Sequence, residues 1–339
     1  MRGNEVLTMK RTFWSLFVLL ALVAIPVPGQ DTSRISGPVL GYVFDADNAG
    51  VRPIFGIPGA ATLGPALNLG VELDRAALSQ ESDYLLGVAG PDRQVVLFQN
   101  LSGVLSPVAI AGAAPAPDRI LASPTGRSAL LLYRDSNVAQ VLTGLPDAPA
   151  LGASIDLSGL PPLKSWGISD DGRAILASAP NGDGESVFLI NPDGSSRLLL
   201  SAGRVAAAAF LTRRSDTVIA DALYNSVDWI RDVTGAAEVI NLAAEKDGIS
   251  SPVAVSVSAD NLRVFVANAG SGTIATLDLA GGAPLLVPCE CALTGLERLQ
   301  GNAVFRLTEP AGEPLWVFDG DPPQARIVFV PAARNGGEK

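Results

Sequence analysis

Histidine is absent from all 339 residues. That single absence excludes Ser-His-Asp and Cys-His nucleophiles and every zinc site that uses imidazole. Cysteine is nearly absent, with Cys289 and Cys291 the only two, so a metal site built on soft ligands has nothing further to draw on. Lysine is rare, arginine carries most of the positive charge, and the formal net charge is −10. An acidic chain repels polyanions, which removes nucleic acid and anionic lipid from the expected partners. Beyond the amino-terminal stretch no apolar run is long enough to cross a bilayer. Any chemistry is left to carboxylates, Arg, Lys, Tyr or an added cofactor.

The amino terminus is rich in what the rest lacks. Arg2, Lys10 and Arg11 precede an apolar run from Phe13 to Ile25, and "VPGQD" follows. A basic start, a short apolar stretch and small residues predict a secretory signal peptide over residues 1–29, cut after Gly29. A retained anchor is the alternative, though a run of about a dozen residues is short for a span. Removing residues 1–29 would take the charge to −12, from three basic groups and one acidic group lost. A short linker is expected over 30–36, one all-β domain over 37–331 and a disordered tail over 332–339. The expected location is secreted or periplasmic.

The dominant feature is repetition. Short apolar strands closing on a polar turn end at Asp45, Gln99, Thr143, Asn191, Arg231, Asp278 and Asp319. Their separations are 54, 44, 48, 40, 47 and 41 residues. A period near 46 with four short strands per unit predicts a β-propeller of four-stranded antiparallel blades. Seven such segments predict seven blades, and six is the alternative because the first unit lacks visible strands upstream of Val39–Asp45. The fullest unit, 164–203, reads "KSWGIS", "AILASAP", "SVFLIN" and "RLLLSA" with Asp-Gly turns between strands. No unit can bury both faces of its own sheet, so neighbouring blades must cover one another.

"SVSADNLRVFVANAGSGTIATLDLAGG", residues 256–282, resembles the YVTN-type propeller repeat of secreted and cell-surface proteins. The match comprises a Ser-x-Asp turn, an aromatic-Val-Ala-Asn strand with Phe265 in the usual tyrosine place, and a strand closing on Asp278 before glycines. "GISDDGRAILASAPNGDGESVFLINPDGSSRLL" is similar to WD-like repeats of periplasmic propellers. Two blades carry the likeness and five share only its rhythm. The resemblance implies a propeller outside the cytoplasm. It transfers no functional residue, because these motifs are structural.

In such a ring, loops from second to third strands build one rim beside the channel mouth, where convergent polar groups would hold a ligand. Arg93, Arg134, Asp135, Asp183, Glu185, Tyr224 and Asn225 sit in those loops and are the binding candidates. The plainer reading is that they are solvated turn residues. Asp170–Asp171–Gly172 has a sufficient turn explanation, and Trp166, Trp229 and Trp316 are expected to pack between blades.

"DADNAG" at 45–50 begins like a calcium loop, but Ala49 and Gly56 stand where oxygen ligands are required. No cofactor is expected, with calcium as the alternative. Cys289 and Cys291 would face one side of a strand, as a local disulfide or as two packed thiols. The expected role is a non-catalytic binding module, monomeric, meeting a protein, peptide or glycan at its rim. The alternative is a lactonase- or glycosidase-like hydrolase, or a lyase, working through carboxylates. No catalytic residue is assigned.

Overall fold

The computed structural model describes residues 37–331 apart from Asn48, 311–313 and 322–323; the signal, linker and tail assigned above lie outside the described residues. Seven antiparallel sheets follow one another along the chain, over 39–63, 73–109, 119–156, 166–202, 205–243, 252–288 and 297–330. In each the strands pair in chain order from the innermost outward. These are the blades of a seven-bladed propeller. The only helical element among the described residues is a single 3-10 turn, Glu245–Asp247. No helix among them is long and apolar enough to cross a membrane.

The blades hold together through alternation. In the second strand of blade 3, Ala129, Leu131 and Tyr133 pack towards blade 2, while Leu130 and Leu132 pack towards blade 4. Successive side chains of a strand point to opposite faces, so a strand covered on both sides is apolar throughout. All six residues of this strand are buried. Seven such clusters exist, one at each junction, and that closes the circle. The junction of blades 6 and 7 is the most aromatic, with Phe265 and Phe305 ring centres 4.9 Å apart and Phe318 5.6 Å from Phe265.

Two details differ from the sequence reading. Val39–Asp45 was expected as the third strand of blade 1, but it is the innermost, followed outward by Gly50–Ile57 and Ala60–Leu63. Its apolar run ending in a polar turn is shared by first and third strands alike, so rhythm could not separate them. Blade 1 therefore has three described strands rather than two missing ones. In blade 3 the outermost strand is split into two short pieces, Ala150–Leu151 and Ile155–Asp156, which both pair with the third strand.

Among the described residues the ring closes without mixing strands from the two ends of the chain. Blade 7 takes all four strands from 297–330. It meets blade 1 through Leu299, Val304 and Val317 packed on Leu40 and Ile54, and through a bond from Gln300 N to the Leu40 carbonyl of 2.8 Å. Gly41 permits the approach, since a Cβ there would stand 2.8 Å from Leu299 Cδ2.

Candidate ligand site at one mouth of the channel

The innermost strands line the channel, and those of blades 3 to 6 contribute to one cavity. The inner strand of blade 5, Val205–Phe210, carries four consecutive alanines. Small side chains there leave space that larger ones would fill. Opposite, the connection from blade 3 to blade 4 passes through Pro161 and Pro162, whose fixed φ stiffens the wall. Between them opens a cavity of about 810 Å³, lined by Arg119, Arg134, Lys164, Trp166, Ala207 and Val253 among others. That size suits a small organic ligand. It lies on the rim of the second-to-third-strand turns, the rim the sequence pointed to.

Each charged wall residue is fixed by the backbone around it. Arg134 opens the turn after the second strand of blade 3, where Asn137 adopts a left-handed φ of 50° and donates from its N to the Arg134 carbonyl at 3.2 Å. The Asp118 carboxylate accepts from Arg134 N at 2.6 Å. Leu157 N donates to the Asn137 carbonyl at 2.8 Å, clamping the blade 3 to blade 4 connection onto this turn. Lys164 Nζ lies 3.0 Å from Glu185 Oε1, and Glu185 is buried while also accepting from Ser178 Oγ at 2.9 Å and Val205 N at 3.2 Å. Glu185 therefore ties blade 4 to blade 5 and neutralises Lys164.

Arg119 is different. It lies at the start of the innermost strand of blade 3, on the cavity wall, and is exposed to solvent. It has no ion pair and no hydrogen-bonded side-chain partner among the described residues. Burial first, and then the like charge of Arg134, pull its pKa below the ordinary arginine value. Arginine nevertheless stays charged in proteins. Arg134 likewise has no ion pair among the described residues. Two uncompensated cations thus share the mouth of a channel in an acidic protein.

The opposite end of the channel is crossed. Arg298, on the innermost strand of blade 7, donates from Nη2 to the Pro124 carbonyl of blade 3 at 2.6 Å. Blades 7 and 3 are not neighbours, so this bond spans the channel. Gln300 Nε2 reaches the Glu81 carbonyl of blade 2 at 3.4 Å. Around them the first-to-second-strand turns are stitched together. Asp170 of blade 4 accepts from Thr125 N and Oγ1 of blade 3, both 2.7 Å, and from Arg213 N of blade 5 at 2.7 Å. Asn261 links blade 6 to Thr212, and Asn302 links blade 7 to Asp260.

The seven loop candidates separate accordingly. Arg134 faces the cavity, and Glu185 supports it from behind through Lys164. Arg93 pairs with Asp74 within blade 2 at 3.0 Å. Asn225 accepts from Ser251 N at 2.8 Å and so holds a connection. Asp135, Asp183 and Tyr224 are exposed turn residues outside the cavity wall. Asp45 lies 3.8 Å from Arg52 Nη1, and no three Cys, Asp or Glu side chains group to hold a metal ion among the described residues. Cys289 and Cys291 are disulfide-bonded, with Cα atoms 5.2 Å apart, on the blade 6 to blade 7 connection. Arg119 and Trp166 lie on innermost strands and not in the rim loops, so loop position does not point to them. The available signal was an arginine or tryptophan on a strand whose repeat position is innermost. Trp166 does pack between blades as expected, but it also forms cavity wall.

No family model matches the chain, and no curated protein does. Solved structures are similar in fold. A protein of unknown function from Desulfotomaculum acetoxidans aligns with a TM-score of 0.57 at 14% identity, covering 87% of this chain and 100% of that one. A candidate 6-phosphogluconolactonase from Bacteroides uniformis gives 0.52 at 14% identity, over 87% and 96% of the two chains. A streptogramin B lyase gives 0.50 at 14% identity, over 75% and 81%. At such identities the likeness establishes the propeller alone.

Proposed function

We propose that this chain is a binding propeller working outside the cytoplasm, which holds a ligand, or the tip of a protein, peptide or glycan partner, in the one open mouth of its channel. The observation that carries the reading is the cavity beside Arg119: preformed, backed by a stiff wall, and lined by two arginines that make no ion pair among the described residues. Of the carboxylates beside it, Glu185 is committed to Lys164 and two further donors, while Asp118 accepts one backbone N–H from Arg134. General acid–base work needs a group free to exchange a proton with substrate. The YVTN-like blades and the apolar amino terminus support a secreted or periplasmic setting.

The test is a ligand screen read two ways. A binder at this mouth raises the melting temperature by mass action and perturbs Trp166 emission, and is recovered unchanged. A propeller hydrolase or lyase is the second reading, favoured by one carboxylate and two arginines meeting in one cavity. It would show as product formation abolished in D118N.

A further inference from the structure

Resting on that reading, we propose that the mouth takes an organic anion: a carboxylate, sulfonate or phosphate head seated between Arg119 and Arg134, with an apolar body against Trp166, Leu163 and Val253. Three observations converge. First, Arg119 and Arg134 both line the cavity and neither makes an ion pair among the described residues. An exposed guanidinium with no ion partner on the wall of a cavity is free to take an anion from solvent. Its planar fork is suited to bidentate recognition of oxyanions. Second, Lys164 is already matched by Glu185, and the one carboxylate of the wall, Asp118, stands against two arginines and accepts from Arg134 N, so the wall keeps a net positive charge. Third, the facing wall is apolar: Trp166, Ala207, Leu163 and Val253 offer surface for carbon and not for charge. A bare inorganic ion would leave that wall wet. An amphipathic molecule with one anionic end satisfies both halves.

Selection against other ligands follows from the surroundings. The protein as a whole is acidic, with net charge −10, so a general affinity for anions is not expected. Binding must therefore be local to the arginines, and single substitutions can address it.

The experiment uses two probes with one carbon skeleton, 8-anilino-1-naphthalenesulfonate and N-phenyl-1-naphthylamine, the second lacking the sulfonate. Each is titrated against the full chain and against R119Q, R134Q and R119K. R173Q, at an exposed turn outside the cavity, serves as control. Energy transfer from tryptophan to probe, compared in the chain and in W166F, reports whether the probe sits at the mouth. The quantity read is the ratio of the two affinities, which cancels whatever the aromatic rings contribute.

The expected result is a ratio that falls about tenfold in R119Q and less in R134Q, as for loss of one charge-assisted contact. R119K should retain most of it and R173Q all of it. Raising ionic strength should weaken the sulfonate alone. A ratio unmoved in both R119Q and R134Q, with Trp166 transfer intact, overturns the anion assignment and leaves the cavity as a binding site. A fall of the same size in R173Q also overturns it. If neither probe draws energy from Trp166, the anion assignment and the proposed use of this mouth are overturned together.

Discussion

The two ends of the channel are built from the same seven strands and differ in what they do with polar side chains. At the closed end, the first-to-second-strand turns consume their side chains in bonds to neighbouring blades. Asp170 alone joins three blades, and Arg298 reaches across the ring. At the open end, the second-to-third-strand turns satisfy mainly their own backbone, as Asn137 and Arg93 do with left-handed residues closing tight turns. A side chain committed to an inter-blade bond is not free to meet a ligand. Under the proposed function, the difference puts stability at one face and recognition at the other.

Removing the junction at Asp170 should have the largest effect. D170A strips the partners from two backbone N–H groups and a hydroxyl, and is expected to lower unfolding free energy by about 2–3 kcal/mol. Urea denaturation with an unchanged m-value measures it. A loss below about 0.5 kcal/mol would break the contrast, because the closed end would then be no more structural than an ordinary surface.

The two arginines sharpen it further. R298Q should cost about 1–2 kcal/mol, since it removes a half-buried bond that crosses the channel. R119Q should change stability by less than about 0.5 kcal/mol, because it removes a cation that has no partner and a like-charged neighbour. Equal costs at the two positions would mean that Arg119 is structural too.

Much of this division was legible before any fold was known. Strand rhythm, Asp-Gly turns and the Ser-x-Asp motif are local chemistry, and each leaves a mark within ten residues. The motif's meaning is visible in blade 6, where Ser258 Oγ donates to Asp260 Oδ1 at 2.6 Å and accepts from Arg263 N at 3.0 Å. Blade 4 repeats it with Ser169, Asp171 and Ala174 N. What could not be read is convergence. Arg119 and Ala207 are 88 positions apart and share one cavity wall only because the inner strands of their blades face one channel. Nor does any local pattern announce that Arg298 will bond to a blade on the far side. Blade 1 was mistaken for the same reason: first and third strands have one hydrophobic signature, and only pairing order distinguishes them.

The smallest expected effect concerns acid. Burial pushes the Asp260 carboxyl up, but bonds from Ser258 Oγ, Leu262 N and Asn302 Nδ2, with the charge of Arg263, outweigh it and hold the pKa below 3.8. A carboxyl whose folded pKa lies under its unfolded one contributes stability above the unfolded value, and that contribution disappears as pH falls through the folded value. D260N should therefore be less stable than the parent chain at pH 6, with the gap narrowing as pH is lowered past about 4. A gap that stays constant would mean that shape, and not charge, matters at this turn. Hydrogen exchange gives the regional form of the same test. Because the Asp260 bonds join blade 6 to blade 7 at the closed end, protection at Ala259 N and Leu262 N should weaken in acid. Asn137 N at the open end donates to a peptide carbonyl, a bond with no titrating partner, and its protection should hold.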